Sequence, residues 1–271
     1  MIDRLAVFGN PVAHSLSPEI HQMFAESAGI SMTYEKILVP LGEFKEAAGE
    51  FFRNGGRGIN ITVPFKQDAF DFVDELSVSA QQAGAVNTIV PQANGELKGF
   101  NTDGAGLASD LHSNLGWEIN GKAILVIGAG GAVQGVLGDL LRAAPRSIVI
   151  ANRTDSKAQA LAVRINDERV SAVPLGELSG NFDVIVSGSS AGLTDVSHGY
   201  ALPVSLMHEN TCCYDMIYGK ATEFLAWCDA LPFVQRADGL GMLVEQAARA
   251  FELWYDVEVD GRIVLDRLRR R

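Results

Sequence analysis

The sequence predicts an α/β fold in two domains, and three observations lead to this prediction. Strand-like and helix-like runs alternate along the whole chain, as they do in α/β proteins. The run Ala123–Ile127 is entirely apolar and passes into a glycine-rich turn, which is typical of a parallel strand covered on both faces. The length of 271 residues suits one large domain or two modest ones, and the pattern changes near Asp103–Gly104.

The composition excludes several classes of protein. Hydrophobic residues make up 47% of the chain and charged residues 20%, which is typical of a globular protein and not of a disordered chain or a coiled coil. The net charge of −11 argues against broad nucleic-acid binding, because such binding requires a cationic surface. No apolar run approaches the ~18 residues of a membrane span. The three cysteines, Cys212, Cys213 and Cys228, have no CxxC spacing and favour a reduced, cytoplasmic, metal-free protein.

The first hundred residues predict alternating strands and helices. Leu5–Phe8 is a short apolar strand, and Ser17-Pro18 opens a helix with Ser17 as the N-cap. That helix presents an apolar face through Ile20 and Phe24 and ends at Gly29. Further strands are predicted at 33–39, 58–63, 85–90 and 97–100, the last two around the Asn94-Gly95 turn, and further helices at 43–53 and from Pro64 to about Val73.

The remaining chain predicts a second domain. A helix from Gly104 to about Leu115 is followed by strand–helix alternation. Asp238-Gly239 then caps a long helix with an apolar stripe. Strands are predicted at 123–127, 147–151, 182–187 and 211–216, with a helix at 154–166. We expect residues 1–103 and 240–271 to form the substrate domain, and 104–239 a Rossmann-type, doubly wound dinucleotide-binding domain.

The turn after the apolar strand predicts a phosphate-binding site. Gly128-Ala129-Gly130-Gly131-Ala132 connects the strand to a helix. Glycine lacks a Cβ, so the backbone can turn tightly and approach a pyrophosphate, and the helix N-terminus offers free N–H groups. The third glycine of the usual GxGxxG is replaced by Val133. A structural strand–helix turn is the alternative reading of such a short motif.

The end of the next strand indicates which dinucleotide would bind. NAD-binding domains usually carry an acidic residue there to hold the ribose hydroxyls. This chain has Asn152-Arg153-Thr154 instead, with Lys157 nearby. A guanidinium suits a 2′-phosphate, so the sequence favours NADP as the cofactor. The alternative is that Arg153 is a surface residue at a helix start.

Lys66 and Asp103 are the candidate acid–base pair. Reduction of a ketone needs a proton donor beside the developing alkoxide, and a lysine oriented by a carboxylate can supply it. Alternatively, Lys66 is a solvated residue at a helix start and Asp103 is an N-cap.

Hydroxyl and amide side chains indicate an anion site and a buried polar contact. Ser15 and Ser17 lie before and at a helix N-terminus, where two hydroxyls can hold a carboxylate. Gln246 lies on the apolar side of its helix, so its amide needs a partner, either a ligand or a backbone carbonyl. His14 and His21 have no carboxylate or cysteine at ligand spacing, so we predict no metal site.

Taken together, the motifs resemble the shikimate dehydrogenase family. They occur in order over nearly the whole chain: His14-Ser15-Leu16-Ser17-Pro18, Asn60-Ile61-Thr62-Val63-Pro64-Phe65-Lys66, Ala85-Val86-Asn87-Thr88, Asn101-Thr102-Asp103-Gly104, Gly128-Ala129-Gly130-Gly131-Ala132 and Asp238-Gly239-Leu240-Gly241-Met242-Leu243. Members of this family are two-domain α/β enzymes that reduce 3-dehydroshikimate to shikimate with NADPH, in the pathway to chorismate and aromatic amino acids.

The resemblance implies a role for each matching residue. Lys66 would act as acid and base, with Asp103 as its partner and as a substrate ligand. Ser15 and Ser17 would bind the substrate carboxylate. The further residues implied as substrate ligands are Thr62, Asn87, Tyr218 and Gln246. Met216 and Gly239 match positions that line the nicotinamide.

The sequence departs from the family pattern in two places, both near the expected cofactor. Val133-Gln134 stand where a small residue and an arginine are usual, and this arginine commonly holds the adenosine end. Ser187-Gly188-Ser189-Ser190 replace the usual Asn-Ala-Thr-Ser. A single cation at Arg153 predicts a smaller preference for NADP than two would give.

Two alternatives remain at this stage. One is a quinate/shikimate dehydrogenase that uses NAD, which Arg153 disfavours. The other is a non-catalytic NADP(H)-binding regulator, which an intact Lys66 and Asp103 disfavour. The expected partner is a small-molecule substrate, with neither a nucleic acid nor a membrane. A homodimer is compatible with the sequence, which does not decide the oligomeric state.

Overall fold

The computed structural model describes residues 2–188, 202–231 and 234–270. The chain divides into two compact units, Met1–Gly106 with Leu243–Arg271, and Leu107–Met242. The boundaries expected from the sequence, after Asp103 and after Gly239, lie three residues earlier in each case. The division falls inside helix α5 (Asp103–Ser109) and helix α9 (Leu240–Tyr255).

The first unit contains a mixed sheet of six described strands, in the order β2-β1-β3-β5-β6-β4. β1 pairs in parallel with β2 and β3, and β5 runs antiparallel to β3 and β6. Gly95 has a positive φ of 88°, as the predicted turn before β6 requires. The strands are β1 (Asp3–Gly9), β2 (Met32–Leu38), β3 (Gly56–Ile61), β4 (Glu75–Leu76), β5 (Thr88–Pro91) and β6 (Leu97–Phe100).

Helices pack on this sheet and enclose the hydrophobic core of the first unit. The helices wholly in this unit are α1 (Ser17–Ala28), α2 (Phe44–Arg53), α3 (Lys66–Phe70), α4 (Val78–Ala83) and α10 (Gly261–Arg269). Phe8, Phe44 and Phe65 are fully buried in one cluster beneath them. Gly29 closes α1 in the left-handed conformation, as predicted from the residue that needs no Cβ.

The prediction of Ser17 as an N-cap is wrong. Leu16 occupies the cap position and α1 begins at Ser17, without a side-chain cap. The reason is that Ser15 Oγ accepts a hydrogen bond from the Ser17 N–H at 3.2 Å. The Ser15 hydroxyl therefore satisfies the first free backbone N–H of the helix. The Ser17 hydroxyl does not cap the helix and can make other hydrogen bonds.

The second unit contains a sheet of six described strands that are all parallel, in the order β12-β11-β10-β7-β8-β9. The strand order reverses between β7 and β10, and ligands of such sheets bind at the carboxyl ends of the strands beside this point. The strands are β7 (Ala123–Ile127), β8 (Ser147–Ala151), β9 (Val170–Ala172), β10 (Val184–Ser187), β11 (Cys212–Asp215) and β12 (Gln235–Ala237).

Residues of β7 alternate between the two faces of this sheet. Ile124 and Val126 belong to one buried cluster, whereas Leu125 and Ile127 belong to the other. The prediction that this apolar strand is covered on both faces is confirmed, and with it the doubly wound α/β class. Among the described residues, the α-helices that lie wholly in this unit are α6 (Gly131–Arg142), α7 (Asp155–Ile165) and α8 (Glu223–Asp229).

Several elements differ from the predictions. The helix expected to run from Gly104 to about Leu115 becomes a π-helical turn at Asp110–Asn114, where the Leu115 N–H reaches back five residues to Asp110 O. The helix expected to reach Val73 ends at Phe70. The strands β4, β9 and β12 and the helices α4 and α8 were not predicted. Among the described residues, none of the helices combines the length and apolar character needed to cross a membrane.

Candidate active site

Lys66 and Asp103 form an ion pair in the first unit. Lys66 begins α3 and Asp103 begins α5, and the Lys66 Nζ–Asp103 Oδ2 distance is 2.5 Å. The side chain of Asp103 is 10% exposed and that of Lys66 is 26% exposed. A lysine held in this way is oriented by the carboxylate and still reaches solvent, so it can exchange a proton with a bound molecule.

Asn87 fixes the other oxygen of this carboxylate. Its amide nitrogen donates to Asp103 Oδ1 at 2.8 Å and to Thr102 Oγ1 at 3.0 Å. Its amide oxygen accepts from the Thr102 N–H at 2.9 Å and from Thr88 Oγ1 at 3.0 Å. Asn87 is 2% exposed, so this network is shielded from water and holds Asp103 in one orientation.

Gln246 joins this network from α9. Its Oε1 accepts from Thr102 Oγ1 at 3.3 Å and lies 3.5 Å from Asn87 Nδ2, while its Nε2 donates to Leu243 O at 2.9 Å. The polar partners expected for this half-buried amide are therefore a backbone carbonyl and two side chains of the site.

The serine pair lies at the beginning of α1. Ser15 Oγ donates to Ser17 Oγ at 3.1 Å, and Ser17 is buried. Tyr34 on β2 has a buried hydroxyl near this pair, and this hydroxyl donates to Asn60 Oδ1 at 2.7 Å. Two uncharged hydroxyls at a helix N-terminus can bind a carboxylate without a cation.

Thr62 directly follows β3 and belongs to the same sequence motif as Lys66. Its methyl group packs against Gly9, where an added Cβ would stand only 2.4 Å from Thr62 Cγ2. A glycine at position 9 therefore leaves the space that the Thr62 methyl group occupies, and Thr62 is half-buried.

Behind these residues lies a buried polar group of His21 and Asn60. His21 Nε2 is 3.1 Å from Asn60 Oδ1, and burial lowers the pKa of His21 to about 3. The imidazole is therefore neutral and structural. Among the described residues, no group of three or more His, Cys, Asp and Glu side chains is arranged to hold a metal.

In the second unit, the glycine turn follows β7 at the reversal of strand order. Gly128 has a φ of +113°, which favours glycine, and its N–H donates to Ala151 O. Gly130 caps α6, which begins at Gly131. A Cβ at Gly130 or Gly131 would meet no atom within 4 Å. The helix N-terminus is thus open to a ligand, and the residues present fit a pyrophosphate.

Two cationic side chains lie on the segment that follows β8, the strand that pairs in parallel with β7. Arg153 and Lys157 are exposed, and neither has an ion pair with another described residue. Asn152 Nδ2 donates to Thr154 O at 2.9 Å, which fixes the turn into α7. Two free cations and no acidic residue before Asp155 suit a phosphate on the ribose.

Met216 and Gly239 are brought together at the same edge of the sheet. A Cβ at Gly239 would stand 2.3 Å from Met216 O, so only glycine fits there. Met216 N donates to Ser187 O at 2.8 Å, at the end of β10. Of the second sequence departure, Ser189 and Ser190 lie outside the described residues.

Three family models match the chain over most of its length. They are the shikimate dehydrogenase substrate binding domain at residues 7–89, shikimate/quinate 5-dehydrogenase at residues 109–199, and the shikimate 5′-dehydrogenase C-terminal domain at residues 239–269. The shikimate dehydrogenase (NADP(+)) of Cellvibrio japonicus (strain Ueda107) is 49% identical over 276 residues, covering 100% of this chain and 98% of that protein. The chain belongs to the shikimate dehydrogenase family.

Solved structures of this family agree with the fold. The shikimate 5-dehydrogenase of Thermus thermophilus, in complex with NADP(H) and shikimate, has a TM-score of 0.87 and 36% identity, covering 99% of both chains. The shikimate dehydrogenase of Aquifex aeolicus has a TM-score of 0.85 and 32% identity, covering 100% of this chain and 98% of that one.

Within this family member, the predicted site residues fall into two groups. The first unit brings together Lys66, Asp103, Asn87 and Gln246, and it holds Ser15, Ser17 and Thr62. Tyr218 belongs to the second unit with the glycine turn, and burial raises the pKa of its hydroxyl.

Tyr34, Thr88 and Thr102 are polar members of this hydrogen-bond network that the sequence did not predict. Thr88 lies opposite Asn60 in the antiparallel register of β3 and β5, and a polar residue in a fully buried strand position is the signal that it needs a partner. The three cysteines are free and buried, and Cys212 and Cys213 pack in β11 as predicted.

Proposed function

We propose that this chain is an NADP-dependent shikimate dehydrogenase that interconverts 3-dehydroshikimate and shikimate. The contact between Lys66 and Asp103 carries the proposal, because a reduction of a ketone needs one proton at the oxygen and this pair is built to hold one. NADPH supplies the hydride when bound. Lys66 Nζ gives its proton to the developing alkoxide, and takes it back in the reverse direction.

Asp103 has two tasks in this proposal. Its Oδ2 accepts from Lys66 Nζ and stabilises the ammonium before transfer, while its Oδ1 is fixed by Asn87. The carboxylate then aligns Lys66 with the substrate oxygen and can accept a hydrogen bond from a neighbouring ring hydroxyl. The near-absence of water around Asn87 and Asp103 makes these interactions stronger than they would be in bulk solvent.

The remaining polar residues would bind the substrate. Ser15 and Ser17 donate their hydroxyl hydrogens to the carboxylate. The half-buried Thr62 hydroxyl and the amides of Asn87 and Gln246 face ring hydroxyls, with Tyr218 as a further ligand.

The second unit would hold the cofactor. The open backbone at Gly130 and Gly131 admits the pyrophosphate to the N-terminus of α6. Arg153 makes charge-assisted hydrogen bonds with the 2′-phosphate, and Lys157 adds a second cation. Residues 1–103 and 240–271 thus act as the substrate domain, and residues 104–239 as the NADP-binding domain.

A turnover assay tests this proposal. Purified protein is mixed with shikimate or quinate and with NADP or NAD, and formation of the reduced cofactor is followed by its absorbance. We expect the highest kcat/KM with shikimate and NADP. Turnover of quinate with NAD at a similar kcat/KM would identify the broader quinate/shikimate activity, and NADP binding without turnover of either acid would identify a non-catalytic regulator.

A further inference from the structure

Asp215 ends β11 as a buried carboxylate that is held by two donors. The residue is 1% exposed. Its Oδ1 accepts from the Ile217 N–H at 3.0 Å, and its Oδ2 accepts from Thr222 Oγ1 at 2.5 Å. A buried charge destabilises a protein unless its oxygens are hydrogen-bonded, and both donors belong to the segment that leaves the strand. The carboxylate therefore closes this segment into a loop.

Thr222 joins the far end of this loop to a helix. It is the N-cap of α8, where its Oγ1 accepts from the Leu225 N–H at 3.1 Å. The same hydroxyl donates its hydrogen to Asp215. One side chain thus fixes the first turn of α8 to the end of β11.

The beginning of the loop is held by the backbone of neighbouring elements. The Met216 N–H donates to Ser187 O at 2.8 Å, at the end of β10. The Ile217 carbonyl accepts from the Gly239 N–H at 3.1 Å. Residues 218–221 form no hydrogen bond with other described residues. The buried carboxylate is therefore the group that holds the loop at its far end.

Capping of the helix alone does not explain the carboxylate. An N-cap needs only an oxygen that accepts from the first turn of its helix. Ser77 caps α4 in this way, and its hydroxyl lies 3.0 Å from that of Ser79 instead of on a carboxylate. The Thr222 hydrogen goes to a charged acceptor, and such hydrogen bonds are roughly twice as strong as neutral ones. Asp215 therefore restrains the loop more strongly than the cap requires.

The loop carries two residues that the family resemblance places in the reaction. Met216 matches a position that lines the nicotinamide, and Tyr218 matches a substrate contact. The hydrogen bond from the Ile217 N–H to Asp215 spans Met216, so it fixes the backbone from which the methionine side chain leaves. The tight fit between Met216 O and Gly239 restrains the same residue from the other side.

We propose that Asp215 is a positioning residue for hydride transfer, which holds Met216 against the nicotinamide through its hydrogen bonds with Ile217 and Thr222. This role rests on the proposed function, because it takes NADP as the cofactor. A loop that is fixed before binding loses little conformational entropy when the ring arrives, and a misplaced ring slows the transfer. Loss of the restraint should therefore weaken the contribution of the nicotinamide to binding and lower kcat.

Thr222→Val tests the proposal through two ligands that differ only in the nicotinamide. NADP contains this ring, whereas 2′-phospho-ADP-ribose lacks it. We expect Kd for NADP to rise about two- to tenfold, the usual worth of one hydrogen bond, and Kd for 2′-phospho-ADP-ribose to change less than about twofold. The kcat with shikimate and NADP should fall about ten- to a hundredfold.

Two further threonine variants are the controls. Thr222→Ser keeps the hydroxyl, so it should retain the Kd values and kcat of the unmutated protein. Thr211→Val is the matched loss at the opposite end of β11. The Thr211 hydroxyl donates to Phe182 O at 2.8 Å and accepts from the His208 N–H at 2.9 Å. Thr211→Val therefore removes the same two kinds of hydrogen bond, and it should lower stability without changing the ratio of the two Kd values.

Coupling to Asp215 separates positioning from capping. In the Asp215→Ala background, Thr222→Val should change neither the ratio of the Kd values nor kcat any further, because Thr222 acts through Asp215. Loss of the N-cap should lower the thermal stability in both backgrounds. If Asp215→Ala does not fold, the two Thr222 variants decide the proposal.

Each outcome has one meaning. If the unmutated protein turns over shikimate with NADP and Thr222→Val behaves like Thr211→Val, the role of Asp215 is overturned and the proposed function stands. An equal loss of affinity for NADP and 2′-phospho-ADP-ribose indicates a structural role only and also overturns it. If the unmutated protein binds NADP but does not turn over shikimate, the proposed function fails, and the two Kd values still decide the role of Asp215.

Discussion

Val133 occupies space that Gly188 leaves free. A Cβ at position 188 would stand 2.5 Å from Val133 Cγ2, closer than two carbon atoms can approach. Val133 is fully buried at the start of α6, and Gly188 directly follows β10. The side chain of Val133 therefore fills the space that a Cβ at position 188 would need, so the two positions are coupled by packing.

The first prediction concerns this pair. Gly188→Ala should lower the free energy of unfolding by about 1–3 kcal/mol, because the methyl group overpacks the contact. Val133→Ala should cost a similar amount by leaving a cavity. The double variant should lose at least about 1 kcal/mol less free energy of unfolding than the sum of the two single losses. The reason is that Val133→Ala makes room for the methyl group added at position 188, and that methyl group fills part of the cavity. Urea unfolding of the four proteins measures this coupling, and strictly additive values would contradict the contact.

The second prediction concerns proton transfer. Lys66→Ala should lower kcat by about 10²–10⁴, the usual contribution of a general acid, with a much smaller change in the binding of shikimate. Lys98→Ala is the control, because Lys98 pairs with Glu75 on the surface of the same unit. Steady-state kinetics with shikimate and NADP provide the measurement. Near-normal kcat in Lys66→Ala would remove Lys66 from the mechanism.

The third prediction concerns the two serines. Each of Ser15→Ala and Ser17→Ala should raise KM for shikimate by about ten- to a hundredfold, since a hydrogen bond to a charged group contributes roughly 1.5–3 kcal/mol. Only Ser15→Ala removes the acceptor of the first helix N–H, so only it should cost about 0.5–2 kcal/mol of stability as a cap does. Ser17→Ala should cost less than Ser15→Ala.

Ser77→Ala is the matched control for the serines. Ser77 is a true N-cap, since it accepts from Ala80 N at 3.2 Å at the start of α4. Its loss should lower stability by about 1 kcal/mol without changing KM. Unchanged KM in both Ser15→Ala and Ser17→Ala would mean that the carboxylate binds elsewhere.

The difference between the predicted and observed role of Ser17 shows what the sequence does not contain. A serine before proline at a helix start has the pattern of an N-cap, and the pattern is local. Which serine accepts the N–H depends on the turn at Leu16, which takes a helical conformation with φ −87° and ψ −5°. The motif therefore predicts where the site lies, and the backbone conformation determines which serine accepts the N–H.

Tyr34 was missed for a different reason. Its neighbours in sequence are ordinary strand residues, and its partners lie on α1 and β3. The contact depends on the register of β2 against β1, which pairs Tyr34 with Leu5. By contrast, Lys66 and Asp103 were predicted from the sequence, and both lie in loops or helix starts that follow strands β3 and β6, where polar residues of a site often collect. Asn87 was predicted from the family resemblance.

The fourth prediction concerns pH. The pKa of His21 is about 3 in the folded protein against its usual 6.5, so the unfolded chain binds the extra proton between these values. The free energy of unfolding should therefore fall as the pH drops from about 6.5 toward 3, by at most about 1.4 kcal/mol per pH unit from this residue. His21→Phe should remove this contribution. His14→Gln, at an exposed position, should retain it.

Urea unfolding between pH 6.5 and 4.5 measures this effect. The comparison is between slopes, because His21→Phe also loses the hydrogen bond to Asn60 and is expected to be less stable at every pH. Parallel curves for His21→Phe and the unmutated protein would show that His21 is not the group responsible.

The fifth prediction concerns the binding of the cofactor by the second unit. Arg153→Ala should weaken NADP binding and leave NAD nearly unchanged, because only NADP carries the phosphate that a guanidinium binds in two places. Gln134 donates to Ala129 O at 3.5 Å and carries no charge, so Gln134→Arg should tighten NADP binding by roughly five- to a hundredfold before screening. Arg164→Ala, near the other end of α7, is the control. Titration of each protein with NADP and with NAD measures these affinities. If the unmutated protein binds both cofactors equally and Arg153→Ala changes neither affinity, the segment around Arg153 does not bind the 2′-phosphate.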